Sequence, residues 1–259
     1  VECPGISELT RMGFLVPAIT YSQKPPNLRG VHRVAGDYNN EELAAVMNQR
    51  KLVGDVVGEW RKRAFGQPTI VFAVNIEHSL AITKQFNDAG IPCEHVGGTT
   101  PNEIRDGVFS RALVVSNVGV YTEGTDVPHV SCIIIARPTM SVGLYIQMAG
   151  RGLRPSPGKT NCIILDHGGC ALMHGLVGQD RVWTLTNYAG IASPKGPVID
   201  VRDTIKVCPK CLLATDRETK KCECGYVFSA ASLKSVSGEL TEAKAVRIPT
   251  EDEKRKAYQ

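Results

Sequence analysis

Aromatic side chains are scarce in this 259-residue chain, at 6%. Any core must therefore be built mainly from aliphatic residues. An excess of one charge is nearly absent too: 30 Lys and Arg stand against 26 Asp and Glu, for a net charge of +4. So small an excess permits contact with nucleic acid without arguing for it, because a local patch matters more than the sum. No apolar run approaches the roughly 20 residues of a membrane span, so no membrane partner is expected. The first residues are not a secretion signal. No internal repeat is found. The chain begins with Val1 rather than Met, and is read as a piece of a longer protein.

What is present is ordinary globular composition, 42% hydrophobic and 22% charged. That suffices for one good core and a smaller appendage. Nine cysteines are many. Cys208, Cys211, Cys222 and Cys224 crowd into one stretch, while Cys3, Cys93, Cys132, Cys162 and Cys170 are scattered, mostly in apolar runs. A secreted disulfide scaffold would be smaller and would spread its pairs. The pattern predicts a reducing compartment, one metal cluster and five buried or incidental thiols.

Along the chain, Val1 to Gly36 shows little periodicity and reads as a connector with an extended piece at Leu15–Ser22. Asn39 or Asn40 can cap a helix that opens with Glu41 and Glu42, acids suited to the positive end of a helix dipole. An alternation of strands and helices follows. Thr69–Val74 is a short apolar run of the type that forms a buried parallel strand, and Cys93–Val96, Ala112–Ser116, Ser131–Ala136 and Asn161–Asp166 read as further strands. Asn75 caps a helix through Ala89 that Gly90 stops. Thr100-Pro101-Asn102-Glu103 reads as a capping box with proline at the first helical position. Another helix spans Ser141–Arg151. The helix after Thr100 leaves almost no room for a turn before Ala112, so either the loop is trimmed or residues are missing there. The alternation predicts an α/β fold, an open parallel sheet with helices on both faces.

The strongest chemical signal is Gln147-Met148-Ala149-Gly150-Arg151-Gly152-Leu153-Arg154-Pro155. Two arginines three apart at a helix end share a face. A pair of fixed guanidinia suits the γ-phosphate of a triphosphate, where an arginine finger can contribute about 10³–10⁵ in rate. Pairing with carboxylates at a helix end is the competing reading. Cys208-Pro209-Lys210-Cys211 and Cys222-Glu223-Cys224-Gly225 form the second signal. Two close pairs can give four thiolates to one tetrahedral, structural zinc. Free thiols, or redox activity of the first pair alone, are the alternatives, and the second pair is one residue shorter than usual. Lys206, Lys210, Arg217, Lys220 and Lys221 surround the cluster.

Two stretches imitate nucleotide motifs. Pro157-Gly158-Lys159-Thr160 ends like a phosphate-binding loop, but Leu153 stands where its first glycine belongs, and the stretch opens a strand instead of a helix. Ile163-Ile164-Leu165-Asp166-His167 resembles a magnesium-binding strand without the glutamate that would polarise water.

Taken in order, these motifs resemble those of superfamily 2 helicases. QMAGRGLRP is similar to motif VI, Asn117–Pro128 with its Thr122-Glu123-Gly124-Thr125-Asp126 core to motif V, and Thr69–Val74 to motif IV. The resemblance covers roughly Leu9 to Gly178 and is nearest the bacterial and phage branch related to XPB-type helicases. It implies a RecA-like domain forming the second motor half of an ATP-dependent helicase or translocase. Arg154 would be the principal arginine finger, with Arg151 beside it. Gln147, Gly124 and Asp126 would line the nucleotide cleft. Val74, Asn75 and Thr122 would touch a nucleic-acid backbone, DNA in preference to RNA. ATP with Mg²⁺ would be shared with an N-terminal motor domain that supplies the phosphate loop and general base, so this chain alone is expected to be inactive. Glu8–Pro17 looks like the stretch joining the two halves. The expected organisation is a connector at 1–36, a RecA-like domain at 37–190, a linker at 191–206, a zinc ribbon at 207–230 and a charged tail at 231–259. The expected location is the cytoplasm of a bacterial or phage-infected cell. The rival reading is a non-catalytic nucleic-acid or protein-docking module that kept a motor fold. A translocase that does not separate strands is a further one.

Overall fold

A computed structural model describes residues 4–23, 25–48, 50–122, 126–183, 188–191 and 204–228. Residues 192–203 of the expected linker and the tail at 231–259 lie outside the described residues. In chain order the helices are α1 (Ile6–Arg11), α2 (Asn40–Met47), α3 (Arg50–Arg63), α4 (Ile76–Asp88), α5 (Asn102–Asp106), α6 (Val142–Gly150) and α7 (Cys170–His174). The strands are β1 (Ala18–Ser22), β2 (Arg33–Val34), β3 (Asp37–Tyr38), β4 (Thr69–Phe72), β5 (Cys93–Val96), β6 (Val114–Asn117), β7 (Cys132–Ile135), β8 (Cys162–Asp166), β9 (Arg181–Trp183), β10 (Tyr188–Ile191), β11 (Ile205–Val207) and β12 (Ala214–Asp216).

Six strands form one parallel sheet in the order β1-β8-β7-β4-β6-β5. Strand alternation sends successive side chains to opposite faces. Ile70, Phe72, Val115, Ile133, Ile135 and Ile164 pack on one face with Tyr145, Met148 and Ala149 of α6. Val71, Val114, Ile134 and Leu165 pack on the other with Trp60 of α3 and Ile82 and Phe86 of α4. Both faces are covered, so β4, β6, β7 and β8 are buried at every residue, as their unbroken apolar runs predict. Trp60, one of two tryptophans, is fully buried and donates its indole N–H to Thr69 Oγ1 at 2.7 Å. This is the expected RecA-like α/β architecture.

Several details depart from the sequence reading. The extended piece within the expected connector is more than a connector. It is β1, the edge strand of the sheet, in register with β8 from Ala18–Cys162 to Ser22–Asp166. It escaped because an edge strand next to prolines carries little periodicity. The capping box at Thr100 does not form. Thr100 Oγ1 instead accepts from Gly97 N at 3.0 Å, and α5 has no side-chain cap. The crowding before β6 is relieved by a 3₁₀ turn at Val108–Ser110, and the strand starts two residues later than predicted. Val108 of that turn is fully buried. The caps at Asn39 and Asn75 form as expected: Asn39 accepts from Glu41 N and Glu42 N, and Asn75 from His78 N.

The cysteine-bearing hairpin β11–β12 lies against the free edge of β1. Ser22 N donates to Leu212 O at 2.9 Å, and Tyr21 bridges Leu213 in antiparallel sense. No described helix is long and apolar enough to cross a membrane.

Candidate functional site

The arginine motif leaves α6 on a rigid mount. Ser141 caps the helix, its Oγ accepting from Leu144 N at 3.2 Å. Tyr145, Met148 and Ala149 face the core, and Gln147 is exposed. The helix ends at Gly150 because the chain must then press onto the sheet. A Cβ on Gly152 would lie 2.3 Å from Cys162 Sγ and 2.7 Å from Ile133 Cγ1, so only glycine fits. Leu153 enters the core, and its carbonyl accepts from Val16 N at 2.8 Å. The two residues between the arginines are thus buried, and Arg151 and Arg154 emerge on either side of them. Arg154 lies past the end of the helix, so helical spacing is not what brings the two guanidinia together.

What unites them is the segment after β6. Asn117 closes that strand, donating to Val71 O at 2.9 Å and accepting from Tyr121 N at 3.2 Å. Tyr121 is fully buried, its hydroxyl on Arg105 O at 3.3 Å. The next residue is held at the surface. Arg151 donates to Thr122 O from Nε at 3.1 Å and from a terminal nitrogen at 2.6 Å. Arg154 forms an ion pair with Asp126. Four of the predicted residues, Arg151, Arg154, Thr122 and Asp126, therefore meet in one corner. Gly124 lies outside the described residues.

The Arg154 and Asp126 side chains are 38% and 76% exposed. An ion pair so open to water contributes at most about 1 kcal/mol.

The predicted backbone-contacting residues Val74 and Asn75 belong to the opposite end of β4. Val74 is buried, its side chain packed with Leu43, Ala44 and Met47 and its N–H donating to His78 Nδ1 at 3.3 Å. Its side chain thus belongs to the core, which leaves its backbone for any contact of the expected kind. Asn75 is committed to capping α4. The Thr122 hydroxyl donates to Gly119 O at 2.6 Å.

Both imitations of nucleotide motifs have structural roles. Asp166 is buried and accepts from Cys170 N, Ala171 N and Ser22 Oγ at 2.9, 2.7 and 2.8 Å. Burial pushes its carboxyl up, against the pull of those hydrogen bonds. Lys159, dismissed as part of a false phosphate loop, turns inward. Its ammonium donates to three carbonyls, Pro128 O at 3.0 Å, Arg154 O at 2.9 Å, and Val130 O. Burial lowers its pKa. Sequence spacing gave no signal for this role, since two of the three acceptors lie about thirty residues away.

The four cysteines of the second signal come together. Cys208 Sγ lies 3.7 Å from Cys224 Sγ, Cys211 Sγ lies 3.6 Å from Cys222 Sγ, and all four sulfurs fall within 4.8 Å of one another. A tetrahedral zinc with bonds of about 2.3 Å requires sulfurs about 3.8 Å apart, so the geometry and donor set fit. Each pair is closed by a left-handed residue. Leu212, at φ 62°, donates to Cys208 O, and Gly225, at φ 87°, donates to Cys222 O. The short second pair closes because Cys222 N donates to Tyr226 O at 2.7 Å. Burial opposes the Cys208 thiolate, but the Cys211 and Lys210 N–H groups bring its pKa down to about 7. Of the surrounding cations, Lys206 sits 4.0 Å over the Phe228 ring and Lys210 donates to Cys224 O. The remaining described thiols, Cys93, Cys132, Cys162 and Cys170, are buried with raised pKa values, burial being the largest cause for each. They are core residues.

Comparison with known proteins agrees with the geometry. The chain is 33% identical over 221 residues to a 51.5 kDa protein of a Lactococcus phage, covering 83% of this chain and 48% of that one. It is 32% identical over 171 residues to a candidate ATP-dependent helicase, IRC3, of Saccharomyces cerevisiae, covering 62% of this chain and 25% of the relative. The chain thus spans about half the length, or less, of the curated relatives it matches. A fragment of a candidate HsdR subunit of a type I restriction enzyme from Vibrio vulnificus shares the fold, with a TM-score of 0.52 at 19% identity over 64% of this chain and 35% of that one. Residues 40–156 match the family described as helicase conserved C-terminal domain. The matched stretch runs from α2 through the arginine corner.

Proposed function

We propose that this chain is the second motor half of an ATP-dependent superfamily 2 helicase or translocase, of the branch related to XPB-type helicases. Arg154 acts as the arginine finger and Arg151 stands beside it. The observation that carries the reading is the corner itself. Two guanidinia flank a buried Gly152-Leu153 step, Arg151 reaching Thr122 and Arg154 reaching Asp126. Guanidinia on a rigid mount at the surface are suited to meet a γ-phosphate when two motor halves close. ATP with Mg²⁺ supplies the transferable phosphoryl group. The phosphate loop, magnesium carboxylate and general base come from an N-terminal motor domain, because the two stretches here that imitate them are occupied structurally by Lys159 and Asp166. The chain alone is therefore inactive.

The nucleic-acid partner is DNA, gripped through phosphate and sugar, so binding is independent of sequence and sensitive to salt. Backbone N–H groups and loop residues near Asn75 and Thr122 make that contact, not the Val74 side chain. Cys208, Cys211, Cys222 and Cys224 hold one structural zinc. The domain organisation is a motor domain through residue 190 that includes β1, followed by a linker, the zinc module at 207–230 and a tail, in the cytoplasm.

The test is nucleic-acid-stimulated ATPase of the complete gene product. Arg154→Ala should lower kcat at least a hundredfold, about 2.7 kcal/mol at the barrier. A wild-type protein inert with every DNA and RNA tried sinks the motor reading in favour of a docking module.

A further inference from the structure

We infer that Lys159 is a positioning residue for the arginine finger, a role that rests on the reading of Arg154 given above. Its ammonium collects the carbonyls of Pro128, Val130 and Arg154. Pro128 lies two residues beyond Asp126, the partner of Arg154. One cation therefore ties the backbone of the finger to the backbone that carries the finger's counter-ion. An ammonium has three donors, and here all three are used.

The arrangement solves a specific problem. On the α6 side, burial of Gly152 and Leu153 fixes the chain up to Arg154. On the far side, Pro155 and Pro157 have no N–H to give, and Pro155 and Pro157 are exposed. The chain there has few means of hydrogen-bonding itself in place. The turn at Ser156–Lys159 closes on one backbone bond, from Lys159 N to Ser156 O at 3.0 Å. The lysine side chain then folds back over that turn to the Arg154 carbonyl. Without it, the finger's backbone would be held from one side only. A finger displaced by about 1 Å can cost on the order of 10² in rate.

The experiment uses the complete protein and reads steady-state, nucleic-acid-stimulated ATPase for wild type, Lys159→Met, Lys159→Arg, Arg154→Ala and the Arg154→Ala/Lys159→Met double variant. Lys159→Met keeps the length and removes the donors. It should lower kcat at least tenfold and change KM for ATP less than twofold. Lys159→Arg, which keeps a cation with several donors, should recover most of that loss. The double variant should be no slower than Arg154→Ala alone, because a displaced finger and an absent one are equivalent. A kcat for Lys159→Met within twofold of wild type, or a double variant whose losses multiply, overturns the inference. Should Lys159→Met fail to fold, as judged by thermal melting, Lys159→Gln takes its place under the same criteria. If Arg154→Ala is itself silent, the finger reading fails. If only the Lys159 variants are silent, that reading stands and this inference alone falls.

Discussion

The arginine corner joins residues about thirty apart in sequence, the cysteine cluster is drawn from one short stretch, and different forces assemble them. At the corner, apolar burial does the positioning. Gly152 has no space for a Cβ, Leu153 fills the core, and Tyr121 anchors the facing segment. The polar groups then attach to backbone that is already fixed. Around the cysteines, the buried apolar side chains among the described residues are few, Ile205 and Ala214 among them, and four sulfurs gather beside them. The first region is ready before any ligand arrives. The second has the donor set and spacing that a tetrahedral cation would need.

This contrast can be broken experimentally, and the largest effect is expected at the sulfurs. Structural zinc sites in small domains are worth on the order of 10–16 kcal/mol. Protein purified without chelator should carry about one zinc per chain, and Cys222→Ser should carry essentially none. The variant should lose hydrogen-exchange protection in β11 and β12 while β4, β6 and β7 stay protected. Less than about half a zinc in the wild type would remove the distinction altogether.

An intermediate effect belongs to the sheet. His78 and His167 are buried, and burial lowers both pKa values to about 4. His78 Nδ1 accepts from Val74 N, and His167 Nδ1 pairs with the Gln23 amide, so both are read as neutral acceptors. Their folded pKa values lie below the unfolded value of about 6.5. Their contribution is therefore complete above about pH 6.5 and is lost as pH falls towards 4. Each should cost about 2 kcal/mol by pH 5. Asp166, raised by burial, acts in the opposite sense at the acid end of that range. Urea melts at pH 7.5 and pH 5 should show the loss, and His167→Gln should reduce it. A flat profile would show that these histidines charge freely.

The smallest change expected in stability is at the corner. Gly152→Ala should cost about 1–3 kcal/mol by overpacking and should lower kcat beyond what that loss explains, since both arginines leave from this step. A variant with wild-type melting and wild-type turnover would show that the mount is softer than its contacts suggest.

Much of this was legible in the sequence. β4, β6, β7 and β8 stood out because a strand buried on both faces is a largely apolar run, whereas β5, half-buried at Glu94 and His95, followed from the alternation of helices and strands. The caps at Asn39 and Asn75 followed from residue type at a helix start. The cysteine motif is legible from spacing, and the arginine motif from its resemblance to motif VI together with the motifs before it. What could not be read depended on contacts across the fold. β1 carries too little pattern to reveal that it pairs with β8. Thr100 has the right residue type for a cap but serves the turn before the helix. Lys159 sat beside Gly158 in a sequence that suggested phosphate, and its three carbonyls could be known only once Pro128, Val130 and Arg154 were neighbours. The packing of the Val74 side chain against α2 could likewise be known only from the fold.

Open sheets end in strands with unused hydrogen-bonding groups, and these invite other chains to add on. Here the protein answers at both margins from its own sequence. At β1 the Ser22 N–H is spent on Leu212, and at β5 the Asn87 side-chain amide takes both the N–H and the carbonyl of Cys93, each at 3.0 Å. A visiting strand would find those positions already answered. The module that carries the cysteines thus keeps one margin of the sheet from lengthening into a neighbour, whatever else it touches.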